Sequence, residues 1–271
     1  MEISVISDIH IDINKDYPVI EKLLEFQKEH GVSALLIAGD ISSDPEVTLK
    51  TIQYLKKEGH QQVYYVPGNH DLWKKEHKNW KTEDIYQRFC KDVDCVCNKP
   101  AVVGDHVIIG DVTWFDYSYA NRAYTTEEFD KMSRNGRTWQ DFYFNDWSAE
   151  NVQTCNIFLQ KIEGQIKETK EKMPDKKIVL MTHMISHEMF CVPEQIADWS
   201  YFNAFLGSKK LQELAVKYQV DYAVCGHVHY RATKKQDGVT WMCRCLNYHT
   251  EWQENKDIEK QLEDAIEIIN L

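Results

Sequence analysis

Five apolar segments of this chain each run directly into residues that can bind a metal ion. Apolar runs of this length predict buried strands, and ligands of open α/β sheets gather beyond the carboxyl ends of the strands. We therefore expect the five ends to converge on one site. The pairs are Ile3–Ser7 before Asp8-Ile9-His10, Ala34–Ala38 before Gly39-Asp40, Val63–Val66 before Gly68-Asn69-His70-Asp71, Ile178–Thr182 before His183, and Tyr222–Cys225 before Gly226-His227-Val228-His229.

The candidate ligands are too many for a single tetrahedral ion. Alternate residues of an extended chain point the same way, so Asp8 with His10, and His227 with His229, are each expected to serve one centre. The full set holds four imidazoles, two carboxylates and one amide, which exceeds the four ligands of a tetrahedral site. Such a set suits two ions that share a carboxylate. Nitrogen and oxygen ligands without thiolates favour Zn, Mn or Fe over Ca or Mg alone. The set is Asp8, His10, Asp40, Asn69, His183, His227 and His229.

A centre of this charge suits phosphate chemistry. The positive charge of two divalent ions exceeds the negative charge of two carboxylates, so the pocket attracts a phosphate anion. Ions roughly 3.5–4 Å apart can hold both an attacking hydroxide and the phosphoryl oxygens. His70 would be an eighth ligand, so it is free to assist the leaving oxygen, with Asp71 expected to orient it. Asn69 and Arg122 are expected to contact the substrate phosphate.

These blocks, in this order, resemble the signature of the calcineurin-like metallophosphoesterases from residue 8 to residue 229. The resemblance implies a four-layer α/β/β/α sandwich with two central mixed sheets and a dinuclear metal centre. By position, it assigns four residues to the first ion and four to the second, with Asp40 bridging, and makes His70 the catalytic histidine. The first set is Asp8, His10, Asp40 and His229; the second is Asp40, Asn69, His183 and His227.

The composition favours a globular protein in a reducing compartment. The 271 residues carry a net charge of −11, which disfavours broad binding of nucleic acids. No apolar run approaches the roughly 20 residues that cross a bilayer, and no secretory signal is visible, so a cytoplasmic location is expected. The eight cysteines are then expected to be free thiols. A four-thiolate zinc site at Cys95, Cys97, Cys243 and Cys245 is the weaker alternative, because its spacing is too short.

The chain is expected to form one domain over residues 1–271. Its first 70 residues predict a β-α-β-α-β unit. Short strands are expected at 101–103, 107–109 and 112–115, and helices at 74–92, from Ser148 to Met173 and from Glu254 to Asn270. Two irregular stretches interrupt this pattern, an aromatic-rich insertion at about 116–147 and a second excursion at about 184–206. The insertion is either a minor packed core or a lid that stacks on the substrate.

The predicted activity is a metal-dependent phosphoesterase, in which a metal-bridging hydroxide attacks phosphorus. The sequence leaves open whether a monoester or a diester is cleaved, and whether the substrate is a small molecule or a protein. Two other functions remain as alternatives. One is a protein-binding scaffold of the same fold with an idle metal site, and the other is a nuclease. The intact ligand set disfavours the first, and the acidity disfavours the second.

Overall fold

Two mixed β-sheets form the centre of the computed structural model, which describes residues 1–59, 61–252 and 257–271. The strands are β1 (Glu2–Ile6), β2 (Ala34–Ala38), β3 (Gln62–Val66), β4 (Ala101–Val103), β5 (His106–Asp111), β6 (Ser133–Arg134), β7 (Arg137–Thr138), β8 (Lys177–Thr182), β9 (Tyr222–Cys225), β10 (Arg231–Gln236), β11 (Val239–Arg244) and β12 (Glu267–Asn270). The helices are α1 (Val19–His30), α2 (Pro45–Gly59), α3 (Thr82–Lys91), α4 (Thr126–Phe129), α5 (Asp141–Phe144), α6 (Asn151–Lys172), α7 (Trp199–Phe202), α8 (Lys209–Lys217) and α9 (Ile258–Ala265).

The first sheet has the strand order β12-β1-β2-β3, and the second has the order β10-β11-β9-β8-β5-β4. The strands β1, β2 and β3 are parallel, and so are β5, β8, β9 and β11. Antiparallel strands close the edges at β12, β4 and β10. The parallel strands therefore send their carboxyl ends towards the same region.

Helices cover the outer faces and complete the predicted four-layer α/β/β/α sandwich. Helix α1 packs against α2 and α9 beside the first sheet, while α6 packs against β5 of the second sheet and against α8. Every residue of β2 and of β5 is buried. Strands that are buried on both faces read as continuous apolar runs, which is why the sequence indicated them.

A buried polar triad, formed by Tyr86, Asp111 and Lys161, fastens α3 and α6 to strand β5. The Asp111 carboxylate is fully buried and accepts hydrogen bonds from Lys161 Nζ at 2.7 Å and Tyr86 OH at 2.8 Å. Its other oxygen accepts the Val112 N–H at 2.8 Å. Lys161 also donates to Tyr86 OH. The charge of the lysine compensates the buried carboxylate, so the triad holds the helices in place.

Some local predictions were wrong. Helical spacing extends to Asn270, but the helix ends at Ala265 and a strand follows that pairs with β1. The β-branched residues Ile266, Ile268 and Ile269 suit that strand; the first part of the predicted helix, 254–256, lies outside the described residues. The expected strand at 112–115 is also absent from the described structure, because Thr113 adopts a left-handed backbone conformation (φ 60°). The charged stretch 74–92 is helical only over Thr82–Lys91.

Two further expectations concern the state of the cysteines and the absence of a membrane-spanning segment. All eight cysteines are free thiols. Within the described residues, the side-chain groups that could hold an ion contain no cysteine, so the four-thiolate alternative has no support. No helix in the described parts of the chain has both the length and the apolar character needed to cross a membrane.

Candidate metal centre

The loops that follow β1, β2, β3, β8 and β9 bring all seven predicted ligand residues into one cluster. Its first half surrounds Asp8 and His10. His10 Nε2 lies 3.8 Å from Asp8 Oδ1 and 3.6 Å from Asp40 Oδ2, and His229 Nε2 lies 3.5 Å from Asp8 Oδ1. Ligand atoms of Asp8, His10 and His229 all lie within 4.8 Å of one another, as a shared ion requires.

The second half of the cluster surrounds the side-chain oxygen of Asn69. His183 Nε2 lies 2.9 Å and His227 Nδ1 3.0 Å from Asn69 Oδ1, and the two ring nitrogens are 3.3 Å apart. Asp40 Oδ1 lies 3.4 Å from His183 Nε2. Since Asp40 reaches the first half through Oδ2 and the second through Oδ1, it lies where a bridging carboxylate would be.

The ring of His10 is the clearest sign that the cluster is built for cations. Both of its nitrogens are buried, and neither has a hydrogen-bond partner. A buried imidazole without partners is rare because its desolvation is not compensated. The carboxylates of Asp8 and Asp40, which are themselves ligand types, lie 3.8 and 3.6 Å from Nε2. Imidazole and carboxylate donors of this kind fit Zn, Mn or Fe.

The expectation that each i, i+2 pair lies in extended chain was wrong. Asp8, His10, His227 and His229 all have positive φ, between 39° and 71°, and so does Asp40 (φ 54°). This left-handed conformation is uncommon for residues other than glycine and occurs at functional sites. Asp8 and His10 still converge on one place, but His229 joins Asp8 while His227 joins Asn69. The second pair therefore serves both halves of the cluster.

Two glycines allow the ligand loops to approach each other closely. A Cβ atom on Gly68 would lie 2.1 Å from Asp40 Oδ1, and one on Gly226 would lie 2.3 Å from Asp8 Oδ2. Any side chain at either position would collide with a ligand carboxylate. The Gly-Asn-His and Gly-His-x-His patterns therefore contain glycine because the loops touch there.

Asp71 does not orient His70, contrary to the sequence-based expectation. Its carboxylate accepts backbone N–H groups of Asp40 at 2.8 Å, Ile41 at 3.0 Å, Ser42 at 3.1 Å and Gly68 at 2.7 Å. It also accepts the Thr48 hydroxyl at 2.7 Å. The physical reason is that Asp71 is fully buried below the loops, where unpaired backbone N–H groups need an acceptor. Asp71 thus joins the loop that carries Asp40 to the loop that carries Asn69.

The His70 ring is held beside the cluster by three contacts. It stacks on Trp73 with ring centroids 3.6 Å apart. Its Nδ1 lies 3.2 Å from Ser43 Oγ, and its Nε2 lies 3.5 Å from the hydroxyl of Tyr248. Its backbone N–H donates to Asp40 Oδ1 at 2.9 Å. A ring nitrogen of His70 also lies within reach of His10 and Asp40, so its separate role rests on the family resemblance.

The ionisable groups of the cluster have strongly perturbed pKa values. Burial lowers the pKa of His183, but the charge of Asp40 and a hydrogen bond to it outweigh burial and raise the pKa to about 10. Burial and the charge of His183 lower the pKa of His227 to about 3. Burial also lowers the pKa of His70 well below its usual value. Opposed shifts among touching groups are typical of functional sites.

Further hydrogen bonds fix the orientation of the ligands, as is usual around metal ions. His183 Nδ1 lies 2.8 Å from the Ala38 carbonyl, His227 Nε2 lies 3.2 Å from the Phe205 carbonyl, and His229 Nδ1 lies 2.6 Å from Glu251 Oε2. Each contact leaves the other ring nitrogen of the histidine facing the cluster. Sequence analysis missed Glu251, because nothing in its local pattern marks it.

The predicted ligand Asn69 is oriented by Asp141, a residue of the aromatic-rich insertion. Asp141 Oδ1 accepts Asn69 Nδ2 at 2.9 Å and Trp73 Nε1 at 2.7 Å, and Oδ2 accepts Trp139 Nε1 at 2.8 Å. Asn145 Nδ2 donates to the same carboxylate at 2.9 Å. The carboxylate therefore fixes the amide so that its oxygen faces His183 and His227. No local sequence pattern marks Asp141 for this role.

An open cavity of about 760 Å³ lies over the cluster. Asp40, Asn69, His70, His227 and His229 line its floor, and Trp73, Trp139, Trp199, Tyr230 and Tyr248 contribute aromatic walls. Trp139 of the insertion lines this cavity, and the lid alternative stays a prediction for it. The alternative of a packed minor core holds for Tyr117, Tyr119 and Phe129, which are buried.

Arg137, rather than Arg122, faces this cavity. Its guanidinium lies over the rings of Phe202 at 4.8 Å and Trp199 at 5.2 Å. Arg122 instead lines a separate depression beside Asn121 and Lys209. The expectation that Arg122 binds the substrate phosphate is therefore not supported, because its part of the insertion packs away from the metal cluster.

A family model for calcineurin-like phosphoesterases matches residues 1–231, which is most of the chain. The chain therefore belongs to this family, and the predicted activity of a phosphoester hydrolase is confirmed at the level of the family. Members of the family are metal-dependent, in agreement with the acid and histidine groups described above.

Two known proteins are similar to this chain over most of its length. The chain is 24% identical over 271 residues to the acyl-carrier-protein phosphodiesterase PptH of Mycobacterium tuberculosis, covering 93% of this chain and 79% of PptH. The crystal structure of that phosphopantetheinyl hydrolase has a TM-score of 0.78 and 19% identity, covering 98% of this chain and 95% of the other. A dimetal phosphatase from Danio rerio has a TM-score of 0.52 and 12% identity, covering 90% and 86%. These structures share the fold.

Proposed function

We propose that this protein hydrolyses phosphodiesters with two transition-metal ions, Mn, Fe or Zn, held by the seven clustered residues. The observation that carries this proposal is the buried His10 ring, which has no hydrogen-bond partner and faces two carboxylates. Asp8, His10, Asp40 and His229 would hold the first ion, and Asp40, Asn69, His183 and His227 the second. The distances within the two halves of the cluster support this division. Such ions polarise a phosphoryl group and activate water near neutral pH.

His70 is proposed to donate a hydrogen bond to the leaving oxygen. The Ser43 hydroxyl, 3.2 Å from Nδ1, can donate to that nitrogen. The ring then carries its proton on Nε2, which faces the cavity beside Tyr248. A neutral imidazole in this tautomer is a donor at the place where the leaving group needs one. The stacking on Trp73 keeps the ring from turning away.

The cavity is large enough to hold an extended organic group of the substrate. Its volume of about 760 Å³ exceeds what a simple phosphate needs, and its walls combine aromatic rings with the Arg137 guanidinium. Similarity to a phosphodiesterase that acts on an acyl carrier protein supports a protein-bound phosphodiester of the phosphopantetheine type. The side chains of Trp139 and Trp199 would pack on the organic part of such a group.

We also propose that residues 1–271 work as one domain that includes the insertion at 116–147 and the excursion at 184–206. Strand β12 pairs with β1, which delivers Asp8, and Asp141 of the insertion binds Asn69. The eight free thiols support a reducing compartment such as the cytoplasm.

The test is a substrate panel with protein loaded with Mn, Fe or Zn. We expect turnover of bis(4-nitrophenyl) phosphate, slower turnover of 4-nitrophenyl phosphate, and removal of phosphopantetheine from a holo acyl carrier protein, followed by intact mass. The variant Asp40→Asn should bind fewer ions, as measured by metal analysis, and lose turnover. Full turnover by Asp40→Asn would contradict the metal mechanism, and cleavage of monoesters alone would contradict the diester assignment.

A further inference from the structure

The segment from Leu246 to Trp252 follows strand β11 and lies along the metal cluster. It lies beyond residue 231, where the match to the family model ends, so the family comparison assigns it no role. It contributes Asn247, Tyr248 and Glu251 to the cavity lining, and the side chain of Tyr248 is partly buried.

The backbone of this segment is fixed from two directions. Asn14, which is fully buried, donates through Nδ2 to the carbonyls of Ile9 and Asn247, both at 2.9 Å, and accepts the His249 N–H at 2.7 Å. Trp252 Nε1 donates to the Leu246 carbonyl at 2.8 Å. The segment is therefore tied to the same loop that carries Asp8 and His10.

The ring of Tyr248 is fixed by the ligand histidines. It meets His10 edge-on with ring centroids 4.6 Å apart, and it meets His229 at the same distance with an interplanar angle of 89°. Glu251, which orients His229, also accepts the Tyr248 N–H at 3.2 Å. The hydroxyl of Tyr248 lies 3.5 Å from His70 Nε2.

A phenol at this position has the chemistry of a second donor. With an ordinary pKa of about 10, a tyrosine keeps its proton at neutral pH. Tyr248 and His70 both line the cavity, and the hydroxyl lies 3.5 Å from His70 Nε2. Preorganised donors aimed at an oxygen that gains charge lower the barrier because they need no reorganisation during the reaction.

We propose that Tyr248 is a catalytic residue whose hydroxyl donates a hydrogen bond to the leaving oxygen, beside His70. This inference rests on the proposed phosphodiester hydrolysis. When the bond between phosphorus and the leaving oxygen breaks, its electron pair stays on that oxygen, and the two donors share the new charge. The phenol keeps its proton throughout, so it acts by hydrogen bonding alone.

The experiment compares wild type with Tyr248→Phe on aryl phosphodiesters whose leaving phenols span a range of pKa values. Phenylalanine keeps the ring on His10 and His229, so ion content and melting temperature should match wild type. We expect kcat to fall roughly 100-fold for poor leaving groups, the low end of the cost of losing one such donor. The loss should shrink for good leaving groups, which gain less from a donor.

Tyr54→Phe is the matched control, because Tyr54 is 46% exposed on helix α2. It should leave kcat unchanged for every substrate. An equal loss by Tyr248→Phe for all leaving groups would overturn the leaving-group role, and so would an unchanged kcat. If wild type cleaves none of the diesters, the proposed function itself fails, an outcome distinct from an inert Tyr248→Phe in an active enzyme.

Discussion

Two buried polar clusters of this protein differ in whether their polar atoms and charges find partners within the protein. In the triad of Tyr86, Asp111 and Lys161, each donor meets an acceptor and the lysine charge offsets the carboxylate. In the metal cluster, carboxylates and imidazoles crowd together while both nitrogens of His10 lack a partner. The triad compensates its own buried charge, whereas the cluster combines the residue types of a cation site with polar atoms that lack a protein partner. In this comparison, the two unpartnered nitrogens of His10 distinguish the candidate metal cluster from the triad.

The largest expected effect is on the metal cluster. Asp8→Asn should lower kcat/KM by roughly 1,000-fold, because several kcal/mol of transition-state stabilisation come from the ions that Asp8 helps to hold. The unfolding free energy of the ion-free protein should change little. Turnover, metal content and urea unfolding check this, with Asp84→Asn on the exposed face of α3 as the control. An ion content equal to wild type would argue against Asp8 as a ligand.

For the triad, we expect a loss of stability without a loss of turnover. Lys161→Met leaves the Asp111 carboxylate buried without its cation, which should lower the unfolding free energy by about 3 kcal/mol. This is the lower end of the usual range, because the lysine side chain is 27% exposed. Turnover per folded molecule should be preserved. Urea unfolding is the measurement, and Lys167→Met on the same helix, 60% exposed, is the control. Loss of activity without loss of stability would contradict the distinction between the clusters.

A smaller effect is expected where the insertion supports the metal cluster. Asp141→Asn should weaken Mn binding by roughly 10–100-fold, because residues that orient metal ligands typically have effects of this size. Calorimetric titration of the ion-free protein with Mn should show the change mainly at one of two sites, since Asp141 contacts Asn69 alone among the ligands. Glu127→Gln, exposed on α4 of the same insertion, is the control. Equal weakening at both sites would indicate a general loss of structure.

The smallest effect is expected from the neutral member of the triad. Tyr86→Phe removes the hydrogen bond to Asp111 and the one accepted from Lys161, while the pair of Lys161 and Asp111 remains, so the unfolding free energy should fall by about 1–2 kcal/mol. Urea unfolding beside Tyr54→Phe measures it. A loss as large as that of Lys161→Met would mean that the lysine charge does not dominate the triad.

The clustering of the predicted ligand residues could be predicted from the sequence, because each of them follows a strand whose apolar run can be recognised locally. Asp40, His183 and His227 were all identified in this way, and the structure places them together. The supporting residues were not predictable. Asp141 and Glu251 bind Asn69 and His229 across 72 and 22 positions of the chain, and no local pattern encodes such contacts. The sandwich followed from the resemblance rather than from periodicity.

The wrong predictions arose where one sequence pattern is compatible with two different structures. The apolar spacing at Ile266 and Ile269 fits a helix, but pairing with β1 favours a strand. Among the arginines of the insertion, composition could not distinguish Arg122 from Arg137, since only the packing of aromatic rings around Arg137 places it at the cavity.

The position of Asp71 couples the two halves of the metal cluster. One carboxylate holds the backbone on both sides of Asp40 and also Gly68, which precedes Asn69. Because Asp40 and Asn69 are carried by these two loops, loss of the Asp71 carboxylate would displace side chains of both halves at once.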